Sequence, residues 1–235
     1  MIHRKISAIT LLAGLVIGIA GCTATPTFQA GDDAEVTHDG LTRLDRTIMD
    51  AVWARQDADI SGVSKIKLQG IGVEYRNVTG PYSGRAGAGS SRRSSSNEFQ
   101  LDADTRALFE EEIRGVFVDE LSKSKVFQIV EESGPDVLLV RAGLLDVVSR
   151  VPPENLGRGN VFIDQVGEAT LVLEVRDSQS NTAIARAVDR RAASGTNMTE
   201  SNSVQNRAEV RRLGRRWGAL LREGLEKMIA DGLSG

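Results

Sequence analysis

Two alternating runs, separated by a short polar turn, constrain this 235-residue chain more than any other feature. In Val166–Arg176, Gly167, Ala169, Leu171, Leu173 and Val175 share one side, while Glu168, Thr170, Glu174 and Arg176 share the other. That period of two marks a strand with one buried face. Asp177-Ser-Gln-Ser-Asn-Thr182 follows, and Ala183–Ala192 reads as the return strand. A type I turn over Gln179-Ser180, with Asn181 left-handed, would pair Ser178 with Thr182. Glu174 then faces Arg186, Val172 faces Val188, and Asp189 falls on the inner side near Leu171. A carboxylate placed there needs a partner, because an unpaired buried charge is costly. Arg141, Arg190 and Arg191 are the candidates for Asp189 and for Asp146, which sits late in another apolar strand.

The other segments extend the frame. Lys65–Val78 alternates with a phase shift at Gly70, where a bulge is expected. Leu101–Lys123 reads as a helix capped by Asp102, with Leu108, Phe109, Ile113, Val116, Phe117 and Leu121 at helical spacing. Val126–Val130 is a short strand, and Gly134-Pro135 marks a turn. Asp136–Ser149 is apolar on both faces, as a central strand would be. Arg207–Leu233 is a final helix that buries Val210, Leu213, Trp217, Leu220, Leu221 and Met228 and exposes Arg207, Arg211, Arg215 and Arg222. Leu41–Arg55 carries an i, i+3, i+7 apolar recurrence that predicts a short helix, unless Trp53 opens an extended segment. Thr79–Asn97 is a Gly/Ser/Arg loop bearing Arg85, Arg92 and Arg93; Ser194–Asn206 is expected to be loose. The expected architecture is an α/β two-layer sandwich: a mainly antiparallel sheet of about five strands, with two main helices on one face, spanning 41–235 as a single domain.

The N-terminus carries an address. His3, Arg4 and Lys5 precede the apolar run Ile6–Ala20, which as a helix would span roughly 22 Å, short of a bilayer core of about 30 Å. A signal peptide over 1–21 fits this length. The run closes in Ile19-Ala20-Gly21-Cys22, which is similar to the lipobox of bacterial lipoproteins, and Cys22 is the sole cysteine of the chain. The resemblance implies that Cys22 is acylated and becomes the mature N-terminus. Thr23 after it, rather than aspartate, implies outer-membrane sorting, with the domain facing the periplasm. Residues 22–40 are small and polar and read as a flexible tether.

Composition narrows the chemistry. A formal net charge of −3 and 4% aromatic residues argue against a nucleic-acid binder. Of two histidines, only His38 follows the signal segment. A Ser-His-Asp or Cys-His enzyme therefore lacks its base, and a zinc site lacks its ligands. Asp102 and Asp104 lack a calcium loop, and the Gly84, Gly87, Gly89 series lacks the Lys-Ser/Thr ending of a phosphate loop. No catalytic residue, metal or cofactor is expected. A carboxylate-based hydrolase using Asp146 and Asp189 is the least favoured reading.

Ser133-Gly-Pro-Asp-Val-Leu-Leu-Val-Arg-Ala-Gly-Leu-Leu-Asp146, Val166-Gly-Glu-Ala-Thr-Leu-Val-Leu-Glu-Val-Arg-Asp-Ser178, Ala187-Val-Asp-Arg-Arg191 and Trp217 together resemble a bacterial lipoprotein family catalogued as domain of unknown function 3313. Asn181 stands where that family usually has a turn glycine. The resemblance implies an envelope lipoprotein and carries over no catalytic residue. The expected function is non-catalytic binding of an unidentified envelope protein or lipid, through Arg85, Arg92 and Arg93 of the loop or through Arg207, Arg211, Arg215 and Arg222 of the last helix. The alternative is a periplasmic carrier of lipid or a small ligand, which would need an apolar pocket between sheet and helices.

Overall fold

The computed structural model describes residues 25–78, 98–152 and 162–232. Along the chain run β1 (Thr27–Phe28), β2 (Thr42–Asp45), β3 (Ala51–Ala54), β4 (Lys65–Tyr75), α1 (Ala103–Leu121), β5 (Gln128–Ile129), β6 (Val137–Ser149), β7 (Phe162–Asp177), β8 (Ala183–Glu200) and α2 (Ser203–Asp231). The strands form one sheet in the order β1-β2-β3-β8-β7-β6-β4-β5. The sheet therefore has eight strands rather than about five, and it is mixed. β4 runs parallel to both β5 and β6. Parallel neighbours need a crossover, and α1 supplies it between β4 and β5.

The β7–β8 hairpin sets Glu174 opposite Arg186, Val172 opposite Val188 and Leu171 opposite Asp189. Asn181 is left-handed, at φ 58°. The turn is one residue longer than the sequence suggests: Asp177, not Ser178, pairs with Thr182, so four residues (178–181) lie in the loop in place of three. The Asp177 N–H donates to Thr182 O and the Asn181 N–H to Asp177 O, while the Ser178 N–H goes to Val137 O. The Asp177 carboxylate draws the turn in by accepting from the Gln179 and Ser180 amides at 3.1 and 2.6 Å. A register shift beside Val175 then restores the pairing further along. The bulge in β4 lies where it was expected, with Gly70 at φ 63° and the register shifting between Leu68 and Ile71.

Three segments depart from the sequence reading. Leu41–Arg55 is not a helix; it folds as β2 and β3 around Arg46, which is left-handed at φ 59°. A segment this short cannot hold a helix alone, and the free edge of β8 offers Ala51–Ala54 a full row of hydrogen bonds. Residues 27–40, expected as tether, belong to the folded body. Thr27 and Phe28 pair with Asp45 and Leu44, and Val36 bridges Thr42. Arg186, on the sheet, also binds Asp39. Lastly, β8 continues to Glu200, and Asn202 caps α2 by accepting from the Gln205 amide. The hairpin ladder carries the polar residues after Ser194 along with it, although they lack strand patterning.

The core lies between one sheet face and the two helices. Ile66, Leu138, Val140, Leu144, Leu171 and Leu173 meet Ile113, Phe117, Leu121, Trp217, Leu221 and Leu225 there. Leu225 was absent from the expected stripe, and Leu108 is exposed. The helices lie against each other through two glycines of α2. A Cβ on Gly214 would come within 3.2 Å of Val116 Cγ1, and one on Gly218 within 2.8 Å of Glu120 Cβ. That approach lets both helices cover the same sheet face.

Candidate functional site

Three polar clusters are built onto this scaffold. The first is buried. Strand alternation turns Asp189 and Arg191 to the same side of β8. Asp189 has 0% exposure. Trp217 Nε1 donates to Asp189 Oδ2 at 2.7 Å. Arg191 donates from Nε to Oδ2 and from Nη2 to Oδ1, the latter at 3.1 Å. The Asp50 N–H donates to Oδ1 at 3.3 Å. The same groups hold the β2–β3 loop, residues 46–50. Arg191 Nη2 donates to Ile48 O at 3.3 Å, and the Arg190 N–H donates to the Asp50 carboxylate at 2.8 Å.

The second cluster centres on Arg76, just beyond β4. Its Nε and Nη2 bind the Asp146 carboxylate at 2.7 and 2.5 Å, and Nη1 binds Glu98 at 2.6 Å. Glu168 accepts from Arg76 at 3.0 Å and from Arg190 at 2.8 Å. Arg150 lies 3.7 Å from Glu168 and 3.9 Å from Glu98. Asp146 occupies a bulge of β6 at φ 57°, where the register shifts between Leu145 and Val148. The Arg76 hydrogen bond holds the Asp146 carboxyl below its ordinary range. Burial pushes Glu168 up, but hydrogen bonds from Arg190 and Arg76 prevail and lower it. A general acid requires the opposite shift.

The third cluster crosses the outer sheet face. Arg176 forks onto Glu174 with both contacts at 2.8 Å. Arg186 bridges Glu174 and Asp39 at 2.9 Å each, and Arg141 reaches Gln69 at 2.6 Å. Arg176, then Arg186, hold the Glu174 carboxyl down at about 2. The Thr37 hydroxyl and then Arg186 do the same for Asp39, also to about 2.

Asp146 and Asp189 thus belong to separate clusters, each with its own arginines. Arg190 spans the two through side chain and backbone, and Arg191 fills the role expected of it. Arg141 instead serves Glu174. Arg76 was missed; its only signal was a single cation at the end of an alternating strand. The Trp217–Asp189 bond was legible in part, since the hairpin register turned Asp189 inward and the helix stripe buried Trp217.

The cations proposed for partner binding are split. Arg207 and Arg211 flank Glu112 of α1, Arg207 at 3.9 Å. Arg215 is exposed. Arg222 is drawn inward, with 20% side-chain exposure, and pairs with Glu223 and Glu226. Arg85, Arg92 and Arg93, the whole 79–97 loop and Cys22 lie outside the described residues. Among the described residues, no group of three or more His, Cys, Asp or Glu side chains is placed to hold a metal ion, and no helix is long and apolar enough to cross a membrane. Two shallow depressions, of about 380 and 410 Å³, lie along the β4–β5 edge. Lys65 lines both.

Comparison with known proteins gives a family but no activity. The family model described as "Protein of unknown function (DUF3313)" matches residues 47–221. No curated protein matches. Among solved structures, the chain is similar to the PelC dodecamer from Paraburkholderia phytofirmans, at 8% identity and TM-score 0.33, covering 72% of this chain and 96% of that one. It is similar to protein XCC0632 from Xanthomonas campestris, at 9% identity and TM-score 0.38, covering 72% and 86%. A third is a putative neuraminyllactose-binding hemagglutinin homolog from Helicobacter pylori, at 10% identity and TM-score 0.33, covering 76% and 89%.

Proposed function

Because the chain belongs to the DUF3313 family, a family without an assigned activity, we propose a function from its own residues: it is a lipid-anchored protein of the bacterial envelope that binds a partner and catalyses no reaction. The observation that carries this reading is the single cysteine at the end of Ile19-Ala20-Gly21-Cys22, behind an apolar run too short to span a bilayer. Acylation there anchors the domain, because each buried methylene contributes about 0.8 kcal/mol. Thr23 directs it to the outer membrane, with the folded body in the periplasm.

Partner binding in place of catalysis is supported by the state of the carboxylates. Asp146, Glu168, Glu174 and Asp189 are each engaged by arginine. The carrier alternative finds little support, since Phe117, Trp217, Leu221 and Leu225 fill the layer where its pocket would lie. The binding surfaces are the cations of the 79–97 loop and the exposed Arg207, Arg211 and Arg215 of α2. Arg222 contributes less, being paired along its own helix.

Metabolic labelling with a palmitate analogue tests the anchor. The wild-type chain takes the label and fractionates with membrane, and Cys22→Ser abolishes both. Labelling that survives this change, or membrane fractionation without labelling, refutes the anchor. Crosslinking in intact cells tests the binding surface. Replacing Arg207, Arg211 and Arg215 together by Ser weakens capture of the partner; unchanged capture refutes that surface.

A further inference from the structure

The chain enters the fold at a defined place. β1 is antiparallel to β2 with Thr27 opposite Asp45, so Thr25 and Pro26 arrive beside the β2–β3 loop. Arg46 of that loop donates to Thr27 Oγ1 at 2.9 Å. The loop is held from several directions. Arg191 grips the Ile48 carbonyl, the Thr47 hydroxyl donates to Met49 O at 2.9 Å, and Asp50 is bonded through both its amide and its carboxylate. Met49 packs against the core as a result. Ile48 is left pointing outward at 71% exposure. A large apolar side chain is thus presented on a fixed backbone, next to the point of chain entry.

We propose that Ile48, with Arg46 beside it, rests in the lipid–water interface of the same bilayer that holds the Cys22 acyl chains. The inference rests on the lipoprotein reading above. Its warrant is the length of chain outside the described structure. Cys22 precedes Thr25 by three residues, which at about 3.6 Å per residue reach at most about 11 Å. The end of the sheet where β1 begins is therefore held against the leaflet surface. One isoleucine would not hold a free protein on a membrane. Here the anchor makes the contact intramolecular, and a weak contact becomes populated at high effective concentration. Of the charges at this end, Arg190 is already paired with Glu168 and Asp146, and the exposed Arg46 stands among the exposed Asp45 and Asp50, so Ile48 carries the contact and Arg46 adds a single cation for an anionic headgroup. The contact would fix how the anchored body stands on the membrane, and hence which surfaces face the periplasm.

The test uses the full-length, acylated protein in vesicles of phosphatidylethanolamine and phosphatidylglycerol. Ile48→Cys and Val36→Cys are each labelled with an environment-sensitive fluorophore, Cys22 being blocked by its own acyl chain. Val36 is the control, because it is 58% exposed and bridges Thr42 at the opposite end of β2. A phospholipid carrying a shallow nitroxide quenches position 48 by about threefold more than position 36, as expected for an interfacial side chain. Equal quenching at the two positions, or none at 48, overturns the proposal. Mass spectrometry of the same preparation separates the two readings. Acylated Cys22 with an unquenched position 48 overturns the interfacial contact alone, whereas unacylated Cys22 overturns the anchor and the contact together.

Discussion

Removing the Asp189 carboxylate is expected to destabilise this fold strongly. Three groups depend on it: the Trp217 indole N–H at 2.7 Å, the Arg191 guanidinium, and the Asp50 amide at 3.3 Å. Asp189→Ala strands the indole N–H in the core, at about 1–3 kcal/mol. It also leaves Arg191 without its counter-charge, and breaking a buried pair costs about 3–5 kcal/mol. Arg191 can turn toward water, being 21% exposed, which moderates the sum. We expect a net loss of about 4 kcal/mol, a large share of a total stability of about 5–15 kcal/mol. Asp189→Asn keeps one acceptor oxygen but turns an amide N–H₂ toward a donor, for a loss of about 2–3 kcal/mol. The assay is urea unfolding followed by far-UV circular dichroism, which does not depend on Trp217 itself. A double-mutant cycle of Asp189→Ala with Trp217→Phe isolates the hydrogen bond and should return a coupling of about 1–2 kcal/mol. Hydrogen exchange should also show residues 46–50 opening more readily in Asp189→Ala, since the clamp on that loop passes through Asp189 and Arg191. A loss below about 1 kcal/mol, or a coupling near zero, would refute the view that this carboxylate joins hairpin, loop and helix.

Other perturbations separate close packing from helix preference. Gly218→Ala gains about 1 kcal/mol of helix propensity but drives a Cβ to 2.8 Å from Glu120 Cβ, so thermal unfolding should show a net loss of about 1 kcal/mol or more. Gly224→Ala, with nothing within 4 Å of the new Cβ, should instead raise the melting temperature, at up to about 1 kcal/mol. Gly167→Ala puts a Cβ 2.5 Å from Val148 O, and its denaturant midpoint should fall by the equivalent of about 2 kcal/mol, because strand backbone cannot move aside. Glu174, held at about 2 against an ordinary value near 4.5, stabilises the fold fully above that ordinary value and loses its contribution as pH falls from about 4.5 to 2. Glu174→Gln should therefore lower stability at neutral pH by about 1–2 kcal/mol, after solvent screening, and flatten the acid limb of stability measured against pH.

Local rules made the long elements legible. Asp102 at the start of α1, the period of two through β7, and Asn181 in the hairpin turn each act within a few residues, so periodicity and turn chemistry revealed them without further context. The hairpin register was read from the turn, and a slip of one residue in β8 would have turned Ala187 and Asp189 to the other face. That register placed Asp189 inside, and a buried carboxylate then demanded an arginine. What lay beyond local reach was decided by edges and crossovers. Leu41–Arg55 carries helical spacing, yet the unpaired edge of β8 made strands of it. Residues 27–40 look like solvated chain because their polar side chains bond to one another and to Arg43, Trp53 and Arg186 rather than to a core. Arg76 could not be recognised as a hub, because its partners at 98, 146 and 168 are brought together by the parallel pairing of β4 with β6. Helical and alternating periods are properties of neighbouring residues, and so the sequence determined them; the pairing of distant strands is a competition among edges, and the assembled sheet alone resolved it.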